Sequence, residues 1–355
     1  MISSKCRKFS LVILPILGAA LCTPAVTRTT SPAKKQAAAP VAAESTKKTA
    51  NTISRDPYYG AVVIDAATGQ ILQEDHASAA GYPASMVKLM NLFLILDDVK
   101  AGKLRLDEPV TVTRDVSKIG GRQVWLKEGE VFPVEELVYA MMIHSANDAA
   151  AALAIRVSGS TDAHAARMTA KARELGLRNT VFHSVHGLPP GPGQEVDMSS
   201  SLDMALLAKA LLEAHPETLK YSSISTRNFR EGNPVQLTSS NKLLDKVPGC
   251  DGLKTGYFYA GGFSTTATAQ RDGRRVIAVV LGSKDKNVRD AKAAELIEKG
   301  FARLPPLPPP VIESVPEPVP VEPVVEKKHG LLLPVLGVSA LIVAVVVFLR
   351  RRRKI

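Results

Sequence analysis

The sequence predicts an α/β chain of the α+β kind: one antiparallel sheet flanked by helices, with a helical subdomain inserted between its first and last strands. Three observations predict it. Strand-like runs lie near both ends of the folded body and are scarce in its middle. The middle is a succession of helical segments separated by short polar breaks. Near the end, Arg271-Asp272-Gly273 is a tight-turn signal that makes the two runs around it antiparallel neighbours.

Taken in order, Tyr59 to Asp65 reads as the first strand, Ala67-Thr68-Gly69 as its turn and Gln70 to Asp75 as the return. A helix opened by Ser85 follows and stops near Gly102. Its residues Met86, Val87, Leu89, Met90, Leu92, Phe93, Leu94, Ile95 and Leu96 leave almost no polar face, which predicts a buried helix. Residues 104–132 alternate short strand-like pieces and turns. Helices are expected at 133–144, 148–157, 163–175 and 201–214, with Asp148 capping the second and Ser200 with Asp203 opening the last. Strands are expected at 252–257, 261–269 and 274–282, then a helix at 289–302.

The chain has 355 residues, enough for one large or two modest domains. The net charge of +11 suggests nucleic acid until its distribution is read. Much of the excess lies in Lys34, Lys35, Lys47 and Lys48 and in the tail Arg350 to Lys354, and no basic stripe carries interleaved aromatics. Nucleic-acid binding is therefore not expected. Cys6 and Cys22 lie in the N-terminal targeting segment, which leaves Cys250 alone in the body, read as a small buried residue rather than a reactive thiol.

Both ends point to a membrane. Residues 1–25 read as a signal peptide: Lys5, Arg7 and Lys8, then an apolar run from Phe9 to Cys22, too short to span. Residues 26–54 read as a disordered linker and 55–303 as the catalytic body. Residues 304–330 form a stalk, with nine prolines between Pro305 and Pro323, favouring extended polyproline II. Residues 331–349 are uncharged, and nineteen residues at 1.5 Å rise span roughly 28 Å, one hydrocarbon core. Residues 350–355 are basic and belong on the cytoplasmic side. The expectation is an exported body at the extracytoplasmic face, held by a single C-terminal helix.

The chemistry is carried by three short strings in order. Ser85-Met86-Val87-Lys88 is S-x-x-K, Ser145-Ala146-Asn147 is S-x-N, and Lys254-Thr255-Gly256 is K-T-G. S-x-x-K alone is weak, since the chain has it five times, at Ser31, Ser45, Ser85, Ser239 and Ser283. Only Ser85 opens a long apolar helix. A serine hydroxyl is a poor nucleophile at neutral pH, and a lysine three residues later on a helix shares its face. Burial and nearby cations lower that lysine's pKa until it accepts the proton. Each string alone reads as ordinary surface or cap chemistry; all three, ordered and in these contexts, read as a serine acyl-transfer site.

Over residues 56–303 the chain resembles the low-molecular-mass penicillin-binding proteins, the serine D-alanyl-D-alanine carboxypeptidases. The resemblance rests on Pro83 to Met90, His144 to Ala150, His186-Gly187-Leu188 and Asp251 to Gly256. It implies the penicillin-binding/β-lactamase-like fold. It implies Ser85 as the nucleophile on the carbonyl between two D-alanines of a peptidoglycan stem, Lys88 as its base, and Ser145 as the proton route to the leaving amine. Asn147 would contact substrate, and Lys254 and Thr255 would hold the terminal carboxylate. Gly256 would let substrate lie along the strand, and the amides of Ser85 and Tyr257 would form the oxyanion hole. Arg289 matches the family's further carboxylate-binding arginine. β-Lactams would acylate the same serine, with no cofactor and no metal. Many relatives carry a further β-rich domain; here proline begins at Pro305, and no such domain is expected.

Rival readings remain at this stage. A β-lactamase of the commonest serine class needs E-x-x-L-N, and Glu174 to Asn179 has one residue too many. An endopeptidase that cuts D-alanyl cross-links, or a wall-binding scaffold with a vestigial site, shares the same strings. His183 and His186 form H-x-x-H without an evident third ligand, which reads as a loop rather than a metal site.

Overall fold

The computed structural model describes residues 51–305 except Asn233. The expected signal peptide, spanning helix and basic tail, the linker before residue 51 and the stalk after residue 305 lie outside the described residues; Ile53 and Ser54, expected in the linker, instead bond to the Ala260 carbonyl of the body. Among the described residues no helix is long and apolar enough to cross a membrane.

Five strands form one antiparallel sheet: β1 (Gly60–Asp65), β2 (Ile71–Asp75), β7 (Cys250–Phe258), β8 (Gly262–Arg271) and β9 (Arg274–Ser283), in the order β2-β1-β9-β8-β7. The two ends of the body therefore meet in the sheet's middle, where Val62 faces Val279, Val63 faces Ala278 and Ile64 faces Ile277. Everything between β2 and β7 is the helical insertion, as the sequence predicts, plus two small hairpins.

Strand period explains why β1 is buried from end to end. Its odd positions Ala61 and Val63, with Val276, Ala278 and Val280 of β9, pack on one side against Ala293, Leu296 and Ile297 of α7 (Lys286–Arg303). Its even positions Val62 and Ile64, with Ile277, Val279 and Leu281, face the insertion through α5 (Ser201–Ala214), behind which lies α1 (Lys88–Lys100). A sheet covered on both faces needs apolar residues at every position, not alternate ones. Helix α1 is the centre of the insertion side, and nine consecutive residues, Lys88 to Leu96, are buried.

The remaining helices are α2 (Val134–Ile143), α3 (Asn147–Ser158), α4 (Thr161–Glu174), α5 (Ser201–Ala214) and α6 (Thr218–Ser222). Ser160, Ser200 and Asp285 cap α4, α5 and α7 by accepting N-terminal amides. Two expectations need correction. The helix opened by Ser85 begins instead with a 3-10 turn, Ala84–Val87, and is α-helical only from Lys88. Asp148 does not cap α3: Ala146 holds that position, and the Asp148 carboxylate accepts the amides of Val124, Leu126 and Ala149. A buried carboxylate beside a loop with free donors is worth more there than at a helix end.

The hairpin β5 (Thr226–Phe229) and β6 (Val235–Thr238) was not expected from sequence. Its strands are four residues each, with Arg227 and Asn228 breaking the apolar pattern. Packing of Phe229 on Phe132 holds it, ring centroids 5.1 Å apart. Together with β3 (Pro109–Thr111) and β4 (Val131–Pro133) it brings the segment 238–242 to the open edge of β7.

Candidate active site

The site forms where the start of α1, the α2–α3 junction and the free edge of β7 converge. Ser85 sits in the 3-10 turn, behind Ala84, whose φ is +48°. An L-residue with a left-handed backbone costs roughly 1–2 kcal/mol, and it persists only where neighbours impose it. The neighbours here are two glycines. A Cβ on Gly256 would stand 2.5 Å from the Pro83 carbonyl, and one on Gly187 would stand 2.1 Å from the Ala84 carbonyl. Two backbones thus close on the Ser85 turn where only glycine fits.

Lys88 is fully buried, and its Nζ meets three oxygens: the His186 carbonyl at 2.6 Å, Asn147 Oδ1 at 2.8 Å and Ser85 Oγ at 3.0 Å. Burial pushes its pKa well below the ordinary 10.5, and the Lys254 and Arg122 charges push further, against Asp197 and Asp148. A neutral amine has two hydrogens and one lone pair. The two carbonyl oxygens only accept, so they take the hydrogens. The lone pair is left facing the Ser85 hydroxyl.

Ser145 too has a left-handed backbone, φ +62°, at the break between α2 and α3. Its Oγ accepts from Lys254 Nζ at 2.9 Å, and Lys254 also donates to the Thr255 carbonyl at 3.0 Å. Burial, then the charges of Arg122 and Arg289, lower the Lys254 pKa to about 7. Asn147 spans the site: its Oδ1 accepts from Lys88 and its Nδ2 donates to the Gly120 carbonyl at 3.0 Å.

A cleft of about 850 Å3 opens over these groups. It is lined by Ser85, Ser145, Asn147, Thr255, Gly256, Tyr257 and Arg289. Lys88 and Lys254 lie beneath its floor, so every candidate residue meets at one place. Tyr257 is half exposed at the rim and stacks on Phe263 at 4.2 Å. Arg289 is buried and held by Asp290.

Sequence reasoning missed Arg122, which lines the same cleft and donates to the Thr238 carbonyl at 2.8 Å and to the Ser240 hydroxyl. A lone arginine in a loop carries no signal in one sequence. The loop of His183 and His186 serves through its backbone, since the His186 carbonyl is a Lys88 partner. Burial, then Lys88, pushes the His186 imidazole down to about 3. Cys250 is half-buried, and burial raises its thiol to about 11, so it is a poor nucleophile at neutral pH.

Fold and site together place the chain in the penicillin-binding and β-lactamase-like class. Comparison with known proteins narrows this. A model of the D-alanyl-D-alanine carboxypeptidase family, peptidase S11, matches residues 46–285, and the chain belongs to that family. It is 34% identical over 245 residues to D-alanyl-D-alanine carboxypeptidase DacF of Bacillus subtilis, covering 68% of this chain and 62% of that one. It is 35% identical over 247 residues to DacC of Escherichia coli, covering 68% and 60%. The chain thus spans about three fifths of the length of these curated relatives. Among solved structures, DacD of Francisella tularensis aligns with a TM-score of 0.66 at 28% identity, covering 71% of each chain. Penicillin-binding protein D2 of Listeria monocytogenes, in its ampicillin-bound form, aligns at 0.62 and 32% identity, covering 69% of this chain and 97% of that one.

Proposed function

We propose that the protein is a serine D,D-carboxypeptidase that removes the terminal D-alanine from peptidoglycan stem peptides and is acylated by β-lactams. The observation that carries this reading is the buried Lys88 amine, with its lone pair turned to Ser85 Oγ at 3.0 Å. Lys88 takes the Ser85 proton as Oγ attacks the penultimate carbonyl. The amides of Ser85 and Tyr257 receive the oxyanion. The Lys254–Ser145 pair passes a proton to the leaving amine, D-alanine departs, and water hydrolyses the ester on Ser85. Lys254 and Thr255 hold the terminal carboxylate, with Arg289 behind them, and Gly256 lets the peptide run along β7 as an added strand. No step uses a cofactor or a metal.

Two facts favour slow release of a penicillin over rapid hydrolysis. Among the described residues the only carboxylate lining the cleft is Asp290, already paired with Arg289. Glu174 lines a different surface, beside Asp97 and Lys171. Among the described residues no glutamate is therefore placed to activate a deacylating water. We further propose that the body is exported, stands at the extracytoplasmic face of the cytoplasmic membrane on the stalk 304–330, and is anchored by 331–349.

Intact-mass spectrometry with a penicillin tests the nucleophile. The wild type should gain one adduct, mapped to Ser85 and stable for hours, and Ser85→Ala should gain none. Release of D-alanine from a pentapeptide, against cleavage of dimeric muropeptides, separates carboxypeptidase from endopeptidase. An adduct on Ser85→Ala, or one lost within minutes, overturns the reading.

The pH profile carries a second test. Lys88 acts as a neutral amine, so kcat/KM should rise with pH as its depressed pKa is passed. Lys254 acts as a cation, so kcat/KM on a free-acid peptide should fall as pH rises through about 7. Lys254→Arg stays protonated and should lose the alkaline limb while keeping the acid one. An alkaline limb unchanged in that variant assigns it to another group.

A further inference from the structure

Four partly buried arginines of the body face carboxylates: Arg167 faces Asp98, Arg227 faces Glu136, Arg230 faces Glu130 and Arg275 faces Asp251. Arg289 puts both Nε and Nη2 on Asp290, at 2.8 and 2.6 Å, and turns Nη1 to the Ser264 carbonyl. Arg122 differs. Among the described residues it has no carboxylate partner, and burial alone depresses its pKa. Its bonds to Thr238 and Ser240 use two of five N–H groups and fix the plane of the fork, leaving donors for a ligand.

Its position is equally specific. The Arg122 carbonyl accepts the Asn147 amide at 2.8 Å, which registers the residue on the S-x-N string. Ser240, which it grips, lies with Ser145, Lys254 and Thr255 around one small recess. Arg122 is also the charge that, after burial, most depresses Lys254. Its guanidinium is exposed to the cleft that it lines, with no carboxylate of its own among the described residues to satisfy it, so an incoming anion can reach it without first breaking an ion pair.

We propose that Arg122 receives the substrate's terminal carboxylate together with Lys254 and Thr255, and that Arg289 remains on Asp290 and contributes through its field. This rests on the carboxypeptidase reading of the site and assigns a specificity residue within it. A planar fork already oriented by two bonds pairs with a carboxylate at little further cost in side-chain freedom.

The test compares a peptide ending in D-Ala-D-Ala with the same peptide as its C-terminal amide. On the free acid, Arg122→Gln should lose roughly 10- to 100-fold in kcat/KM, mostly through KM. On the amide the loss should be much smaller, since there only the Arg122 charge felt by Lys88 and Lys254 changes, so the acid-to-amide preference collapses, and Arg122→Lys should restore part of it. Acylation by a penicillin and by its methyl ester gives the same ratio without peptide turnover. If the wild type cleaves no D-alanyl-D-alanine peptide, the functional reading fails, and the penicillin ratio still decides Arg122. Equal losses on acid and amide, or on penicillin and ester, would show a merely structural role and overturn the proposal. So would a preference that survives Arg122→Gln and collapses in Arg289→Gln.

Discussion

Lys88→Met should lose acylation by roughly 10^2- to 10^4-fold, the usual contribution of a positioned general base, with thermal stability nearly unchanged. Methionine keeps an unbranched chain of similar length in a fully buried slot. Two opposing effects set the stability. The folded-state pKa lies below 10.5, so the unfolded chain binds the extra proton, and burying this lysine is unfavourable at neutral pH. That penalty shrinks as pH rises toward 10.5, and the variant lacks it. Against this, Asn147 Oδ1 and the His186 carbonyl lose their donor, at about 1–3 kcal/mol for each buried group left unpaired. Lys88→Arg sharpens the test. Arginine keeps the charge and cannot give up its proton, so it too should fail to acylate. Burst acylation by a chromogenic β-lactam, with melting curves alongside, measures both. Activity in the arginine variant would show that charge, not basicity, is what the position supplies.

The ordered strings at 85, 145 and 254 were legible because they are local, and the sheet because its strands carry period and turn signals. What the sequence did not show is imposed from outside each segment. Nothing in Pro83-Ala84-Ser85 announces a left-handed alanine; that follows from the approach of Gly187 and Gly256, 103 and 172 positions after Ala84. Ser145 is left-handed for a similar reason: α2 must end and α3 must begin with only three residues between them while Lys254 reaches in from β7. Asp148 has the composition of a cap, and only the nearby 124–126 amides show its actual partners. Arg122 lay beyond a reading of one sequence altogether. Its meaning depends on Ser240, Thr238 and Asn147, three positions that meet it only in the fold.

The same contact yields the second large effect. Gly187→Ala should abolish acylation more completely than any loss of stability explains. Residue 187 has φ +78°, and a left-handed alanine alone costs roughly 1–2 kcal/mol. The added methyl would also stand 2.1 Å from the Ala84 carbonyl and 2.8 Å from the Ser85 amide, distances that real Cβ atoms do not show. Both obstacles are backbone, so no side chain can swing aside. Either the 184–188 loop retreats, taking the His186 carbonyl from Lys88, or the Ala84–Ser85 peptide turns, moving the nucleophile and its amide together. Each route breaks the site, and a misplacement near 1 Å is enough to cost about 100-fold. Gly129→Ala is the control. Its φ is +83°, yet a Cβ there meets nothing within 4 Å. It should lower thermal stability by the left-handed penalty alone and acylate at the wild-type rate. If Gly187→Ala acylates as fast as Gly129→Ala, the loop carrying His186 does not position the serine, and Lys88 is oriented by Asn147 alone.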